Sequence, residues 1–317
     1  MHLNEFAATG DPHDMTSSDE FASLLASAAD LGISHSPDIG YRSANVVVRH
    51  HRFHYLEWGS PDLPDVLLLH GSNQSAHSWD LVSLHLADRF HVIALDQRGH
   101  GDSEWARDVD YSSTALAADA AAVAHELGLV DPIVIGHSMG GMNTMRMLLD
   151  HPDRASKVVL VDIGPELSEQ GANTIRSFIV ENREFDDLDT FINAVQKYDK
   201  YRPREHIERT VKYNLLQRAD GKYISKRDHG PRLETTRLQR DRSDRFTLDD
   251  AATFDLPVLL VRGADSQIFT AEAADRFVGV LPRGKLITVP NSGHNVQGQN
   301  TPGFIEAITA FISPGEL

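Results

Sequence analysis

The chain has 317 residues, 41% of them hydrophobic and 24% charged, which is enough apolar material for one large domain or two modest ones. Its formal net charge of -16 repels phosphate backbones, so nucleic acid is excluded as an expected partner. With no cysteine there is no disulfide, no thiol nucleophile and no thiolate metal site.

The first residues lack the basic and apolar regions of a signal peptide, and the apolar runs are too short to span a bilayer. A cytoplasmic protein without membrane contact is therefore expected. Residues 1–44 read as an extension carrying one short helix. Ser17 and Glu20 have capping-box spacing, and Phe21, Leu24, Leu25, Ala28 and Leu31 follow at helical intervals. Such a helix needs a surface to pack on, either its own domain or a second copy in a homo-oligomer.

From residue 45 the period shortens. Val46–Val48 and Phe53–Trp58 read as a hairpin across Arg49–Arg52. Then strands and helices alternate: strand Val66–Leu69, a helix around 76–88, strand Val92–Leu95, an Ala-rich helix over 113–127 stopped by Gly128, strand Ile133–Ile135, a helix from Met139 to about Asp150, and strand Val158–Val161. Residues 165–250 show helical periodicity only, with Leu188, Phe191, Ile192, Val195 and Tyr198 on one face and Ile207, Val211 and Leu215 on another. Alternation resumes with strand Val258–Val261, a helix over 271–281, strand Leu286–Val289 and a helix over 302–313. The expected fold class is α/β: a mostly parallel sheet covered on both faces over 45–164 and 251–317, with a helical lid over 165–250 above the C-terminal strand ends, where such sheets bind ligands.

Gly136-His137-Ser138-Met139-Gly140 stands between a strand and a helix. A serine on so tight a turn is held in a strained conformation with its hydroxyl above the sheet, beside a helix N-terminus that favours negative charge. A serine hydroxyl needs a base, and a base needs a carboxylate. Among 17 histidines, His294 is singled out by its place after the last strand. Asp265, following strand Val258–Val261, is preferred as the acid because nucleophile, acid and base then come in the expected chain order. Asp162, at the end of strand Val158–Val161, is its rival, otherwise read as a turn cap. The backbone N–H groups of Met139 and Ser72 are the candidate oxyanion donors. His70 reads as a buttress of the Ser72 loop.

Asp96-Gln97-Arg98-Gly99-His100-Gly101-Asp102-Ser103 lacks the spacing of a nucleotide-binding loop and reads as a structured turn in which Arg98 pairs locally. His50, His51 and His54 lack partners in ligand spacing, so no metal is expected. The four methionines at 139, 142, 145 and 147 read as adaptable core filler. Phe178, Phe191, Tyr198 and Tyr213 either line a substrate pocket or pack lid helices. The lid carries 17 basic and 17 acidic residues, which leaves the net charge on the remainder of the chain. Such charges read as solvated pairs before they read as an anion-binding surface.

Taken together, the His-Gly-Ser-Asn loop at 70–73, the 96–103 segment, Gly-His-Ser-Met-Gly-Gly at 136–141, Gly-Ala-Asp at 263–265 and Ser-Gly-His at 292–294 resemble the α/β-hydrolase fold family over about 45–313. The resemblance implies a lidded serine hydrolase acting on a small organic substrate without cofactor or metal. A serine nucleophile argues against the aspartate-dependent dehalogenases and epoxide hydrolases of that fold. Gln299 stands where the family often has Glu, and the first 44 residues have no counterpart in the minimal fold. The expected reaction is hydrolysis of a carboxylic ester or lactone, in the manner of a carboxylesterase or lactonase. Carbon–carbon bond hydrolysis of the meta-cleavage type is the alternative, and a non-enzymatic ligand receptor on the same shell is the third reading.

Overall fold

The computed structural model describes residues 18–229 and 246–313. Ser17 and residues 230–245 of the expected lid lie outside them. Helix α1 (Asp19–Asp30) is capped by Ser18, whose hydroxyl accepts the Phe21 N–H at 3.1 Å, so the cap falls one residue after the expected Ser17. Phe21, Leu24 and Ala28 bury into the main core, and α1 therefore packs on its own domain.

Strands β1 (Tyr41–Val48) and β2 (His51–Trp58) form an antiparallel hairpin. Its two-residue turn, Arg49 and His50, has φ of 50° and 63°, the mirror-image geometry that matches strand twist. The sheet thus begins at Tyr41 rather than at 45. The chain continues through β3 (Asp65–Leu69), a 3₁₀ turn and α2 (Asp80–Leu86), β4 (His91–Leu95), α3 (Ser113–Glu126), β5 (Ile133–His137), α4 (Met139–Asp150) and β6 (Lys157–Val161). The eight-stranded sheet has the order β1-β2-β4-β3-β5-β6, followed by two later strands, Val258–Gly263 and Gly284–Val289, and is parallel throughout from β4 onward.

Successive residues of the central strands feed opposite faces, as a period of two requires. Val66 and Leu68 join Trp79, Leu84, Phe304 and Ile308 on one side, and Leu67 and Leu69 join Val123, Met145 and Leu148 on the other. Met145 and Met147 are core filler.

The lid follows β6. It comprises α5 (Glu169–Glu181), β7 (Glu184–Phe185), α6 (Leu188–Tyr198), α7 (Arg204–Val211), β8 (Leu215–Gln217) and β9 (Tyr223–Ser225). Phe191, Ile192 and Val195 of α6 meet Ile207 and Val211 of α7 in a separate small core. The expectation of helices alone needs correction, because β7, β9 and β8 form a three-stranded antiparallel sheet. Strands of two or three residues are too short to display a period. Leu215, expected on a helical face, opens β8.

After α8 (Leu248–Ala251) the main sheet resumes with β10 (Val258–Gly263), α9 (Ala271–Val280), β11 (Gly284–Val289), α10 (Val296–Gln299) and α11 (Thr301–Ile312). No described helix is long and apolar enough to cross a membrane. The lid is tied to the sheet domain at several points. Arg209 of α7 pairs with Asp80 of α2 at 2.9 Å, both buried, and Lys226 meets Asp102 at 2.6 Å. Other lid arginines pair within the lid: Arg218 with Glu184 is an exposed pair, as expected, whereas Arg202 with Asp199 is largely buried.

Candidate active site

Strand β5 and helix α4 meet at Ser138, whose φ of 50° and ψ of -114° are forbidden ground for an ordinary side chain. Neighbouring backbone enforces the turn. The Ser138 N–H donates to Val161 O at 3.1 Å and the Gly140 N–H to His70 O at 3.1 Å. A Cβ on Gly140 would lie 2.2 Å from Leu69 O, so only glycine lets α4 start this close to β3.

The Ser138 hydroxyl lies 2.9 Å from His294 Nε2, and His294 Nδ1 lies 2.8 Å from Asp162 Oδ2. A carboxylate can only accept, so Nδ1 carries the proton and Nε2 is left to accept from the serine. Asp162 is fully buried just beyond β6, with φ 52°. Its carboxylate also accepts the Gly263 N–H at 3.0 Å and the Ser266 hydroxyl at 2.5 Å.

The expected acid, Asp265, is not the partner of His294 in this arrangement. It is exposed, and its carboxylate accepts the hydroxyl of Tyr201 from the lid at 2.6 Å; desolvation, with this contact beside it, pushes the Tyr201 hydroxyl up to about 12. The physical reason is the sheet order. β6 lies between β5 and β10, so the residue that ends β6 points between nucleophile and base. The loop after β10 supplies donors to that carboxylate instead of a carboxylate of its own. Chain order alone does not register this exchange.

Ser72 and Met139 line one cleft together with Ser138, Met139 as the first residue of α4, whose N–H has no intrahelical acceptor. His70, fully buried, receives the Gln97 N–H on Nε2 at 3.0 Å and places Nδ1 2.7 Å from Gly71 O, fixing the loop before Ser72.

Two residues missed in the sequence tie this loop to the histidine. Gln74 accepts the Gly71 N–H at 2.9 Å and donates to Asn295 Oδ1 at 3.3 Å. His137 lies 2.8 Å from His294 O through Nε2 and 3.1 Å from Gln74 Oε1 through Nδ1. Burial pushes His137 well below its ordinary pKa, so the ring is neutral and its one proton serves the shorter contact, to His294 O. A middle residue of the serine motif carries no signal for this. Gln299 accepts the Gly293 N–H at 2.7 Å and so steadies the same loop.

The 96–103 turn folds inward. Asp96 accepts the Ala76 and Asp102 N–H groups at 2.6 and 2.9 Å and contacts His54 Nδ1 at 2.7 Å, which holds its carboxyl far below the usual range despite burial. The turn's N–H groups are spent internally, Gln97 on His70 Nε2, Gly99 on Glu104 O, His100 on Gln97 O, Asp102 on Asp96 and Ser103 on His100 O, rather than offered to phosphate. His54, Asp96 and Asp102 could converge on a metal, but Asp96 is already engaged in these three contacts and Asp102 pairs with Lys226. His50 and His51 stand outside that cluster. Arg98 pairs with Asp119 of α3 at 2.5 Å, a longer reach than local pairing.

Ser138 lies between two clefts. Phe178, Phe191 and Tyr198 line the one beneath the lid, and Tyr213 does not, being stacked on His77 at 3.4 Å between ring centres. Met139 and Met142 line the other.

Fold and site together define a lidded hydrolase. The chain belongs to the α/β-hydrolase fold family, whose model matches residues 64–301. It is 28% identical to the esterase Rv0045c of Mycobacterium tuberculosis over 94% of this chain and 97% of that one. It is likewise 28% identical to 2-(acetamidomethylene)succinate hydrolase of Mesorhizobium japonicum, over 90% of this chain and 97% of the relative. The crystal structure of the M. tuberculosis esterase superposes with a TM-score of 0.73 at 26% identity, covering 94% of this chain and 99% of the other.

Proposed function

We propose that the protein is a serine hydrolase that cleaves a carboxylic ester or lactone of a small organic substrate through an acyl-enzyme, in the cytoplasm and without cofactor or metal. The observation that carries this reading is the relay from Ser138 through His294 to Asp162 at a strained strand-to-helix turn. His294 removes the Ser138 proton as Oγ bonds the carbonyl carbon, and the Met139 and Ser72 N–H groups receive the oxyanion. The proton passes to the leaving oxygen as its bond to carbon breaks, and water, activated by the same histidine, releases the acid. Asp162 balances the imidazolium and holds its tautomer. The similarity to a protein named an esterase supports the bond type.

The test is a p-nitrophenyl ester series and a lactone panel on wild type and Ser138→Ala, with a fluorophosphonate probe alongside. Turnover by wild type alone supports the reading. Activity retained in Ser138→Ala sinks it. Labelling of Ser138 without turnover of any ester or lactone would move carbon–carbon bond hydrolysis to first place.

A further inference from the structure

The two clefts beside Ser138 differ in chemistry, and only one of them includes His294. The lid cleft is walled by Ile175, Phe178, Phe191 and Val195, and its charged groups, Arg202 and Asp199, neutralise each other at 2.6 Å. The opposite cleft, between the start of α3 and α4, is lined by Asp110, Tyr111, Ser112, Arg227 and His100 beside Met142. His294 also borders an outer cleft near Tyr201, but Ser138 does not line that one.

Proton delivery gives the clefts different roles. His294 Nε2 must come within hydrogen-bond reach of the leaving oxygen, so the group attached to that oxygen extends on the His294 side. The carbonyl oxygen points to the Met139 and Ser72 N–H groups, and the acyl chain takes the remaining direction, away from His294. His100 adds a chemical requirement. Its Nδ1–H donates to Arg98 O at 3.0 Å, and its buried Nε2 has no partner among the described residues. Burial keeps the ring neutral, which leaves Nε2 as an unpartnered lone-pair acceptor on a residue that lines the acyl cleft.

Building on the ester-hydrolysis reading, we infer that the preferred substrate joins an acyl group bearing an O–H or N–H donor, seated against His100, to a bulky apolar alcohol beneath the lid. The reverse arrangement, a fatty acyl chain with a small alcohol, would set the chain against the polar lining of the acyl cleft and leave the apolar lid cleft unused.

Two ester series on the full-length protein decide this. One varies the alcohol (methyl, hexyl, benzyl and naphthylmethyl glycolates), and the other varies the acyl chain of methyl esters from C2 to C10. The expected result is a rise in kcat/KM of roughly tenfold or more from methyl to naphthylmethyl glycolate, and no comparable rise with acyl length. Ile175→Trp should lower the ratio of kcat/KM for naphthylmethyl over methyl glycolate by about tenfold, whereas Met142→Trp should lower both glycolates alike. His100→Phe should erase the preference for glycolate over acetate. A preference for long acyl chains on methyl esters, reduced by Ile175→Trp, would overturn the assignment while leaving serine ester hydrolysis intact. Absence of turnover across both series, with Ser138 still labelled by fluorophosphonate, would instead remove the ester reading and this inference with it.

Discussion

Replacing Asp162 by Asn separates the two candidate acids. The side chain keeps its shape, and Asn tolerates the positive φ found there. The amide can still accept the Gly263 N–H, but it no longer offers an anion to His294 Nδ1 at 2.8 Å. An amide N–H facing Nδ1 favours the opposite tautomer, with the proton on Nε2 and no lone pair for Ser138. Loss of the correct tautomer costs about 10⁴ in kcat, or roughly 5.5 kcal/mol of transition-state stabilisation. The stability cost is about 1 kcal/mol, because only the Ser266 hydroxyl must find a new acceptor. Asp265→Asn still accepts from Tyr201 and should keep kcat within about threefold, since a surface contact is worth little. The assay is kcat and KM on the best ester of the panel for both variants, with thermal melts to show that each is folded. If Asp265→Asn lost more than a hundredfold while Asp162→Asn stayed within tenfold of wild type, the geometric assignment would be refuted.

Arg209→Ala leaves Asp80 buried without its guanidinium partner, and should destabilise by about 3–5 kcal/mol in denaturant unfolding. The exposed Arg218→Ala should cost under about 1 kcal/mol, and equal effects of the two would contradict the burial argument. Burial lowers the pKa of His70, His100 and His137 below 6.5, so below that pH the unfolded chain takes up protons that the folded chain refuses. The contribution of these three should be full above pH 6.5 and fall beneath it, by up to about 1.4 kcal/mol per pH unit for each histidine. His91 is raised by Glu57 and Asp65 against the effect of its burial, and its contribution is already complete below pH 6.5, so it does not offset the loss. A melting temperature unchanged from pH 7 to pH 5 would contradict this.

The sequence carried the parts of this site that depend on local geometry. A glycine-flanked serine between a strand and a helix has few conformations open to it, and a histidine after the last strand has one sheet edge to fold over. The acid depends on which strands are neighbours, and neither Asp162 nor Asp265 advertises that in its own surroundings. The lid strands β7 to β9 were hidden for a different reason: their pairing joins residues such as Phe185 and Tyr223, far apart in the chain, over two or three positions. Gln74 and His137 act through hydrogen bonds across loops, a property of the assembled loops rather than of any motif.

Asp162 is also where the lid begins. Asp162-Ile163-Gly164-Pro165 leads from β6 straight into the insert, so the residue that orients the imidazole is the hinge post of the cap. An exchange of caps between relatives of this architecture can therefore treat the insert as a cassette only from beyond Gly164, whose missing side chain accommodates Phe269 and Phe277. A splice made one strand-end earlier would import another protein's acid, or none. A cap swapped into this chain would keep the acid in place only if the first few residues of the insert stay with the sheet.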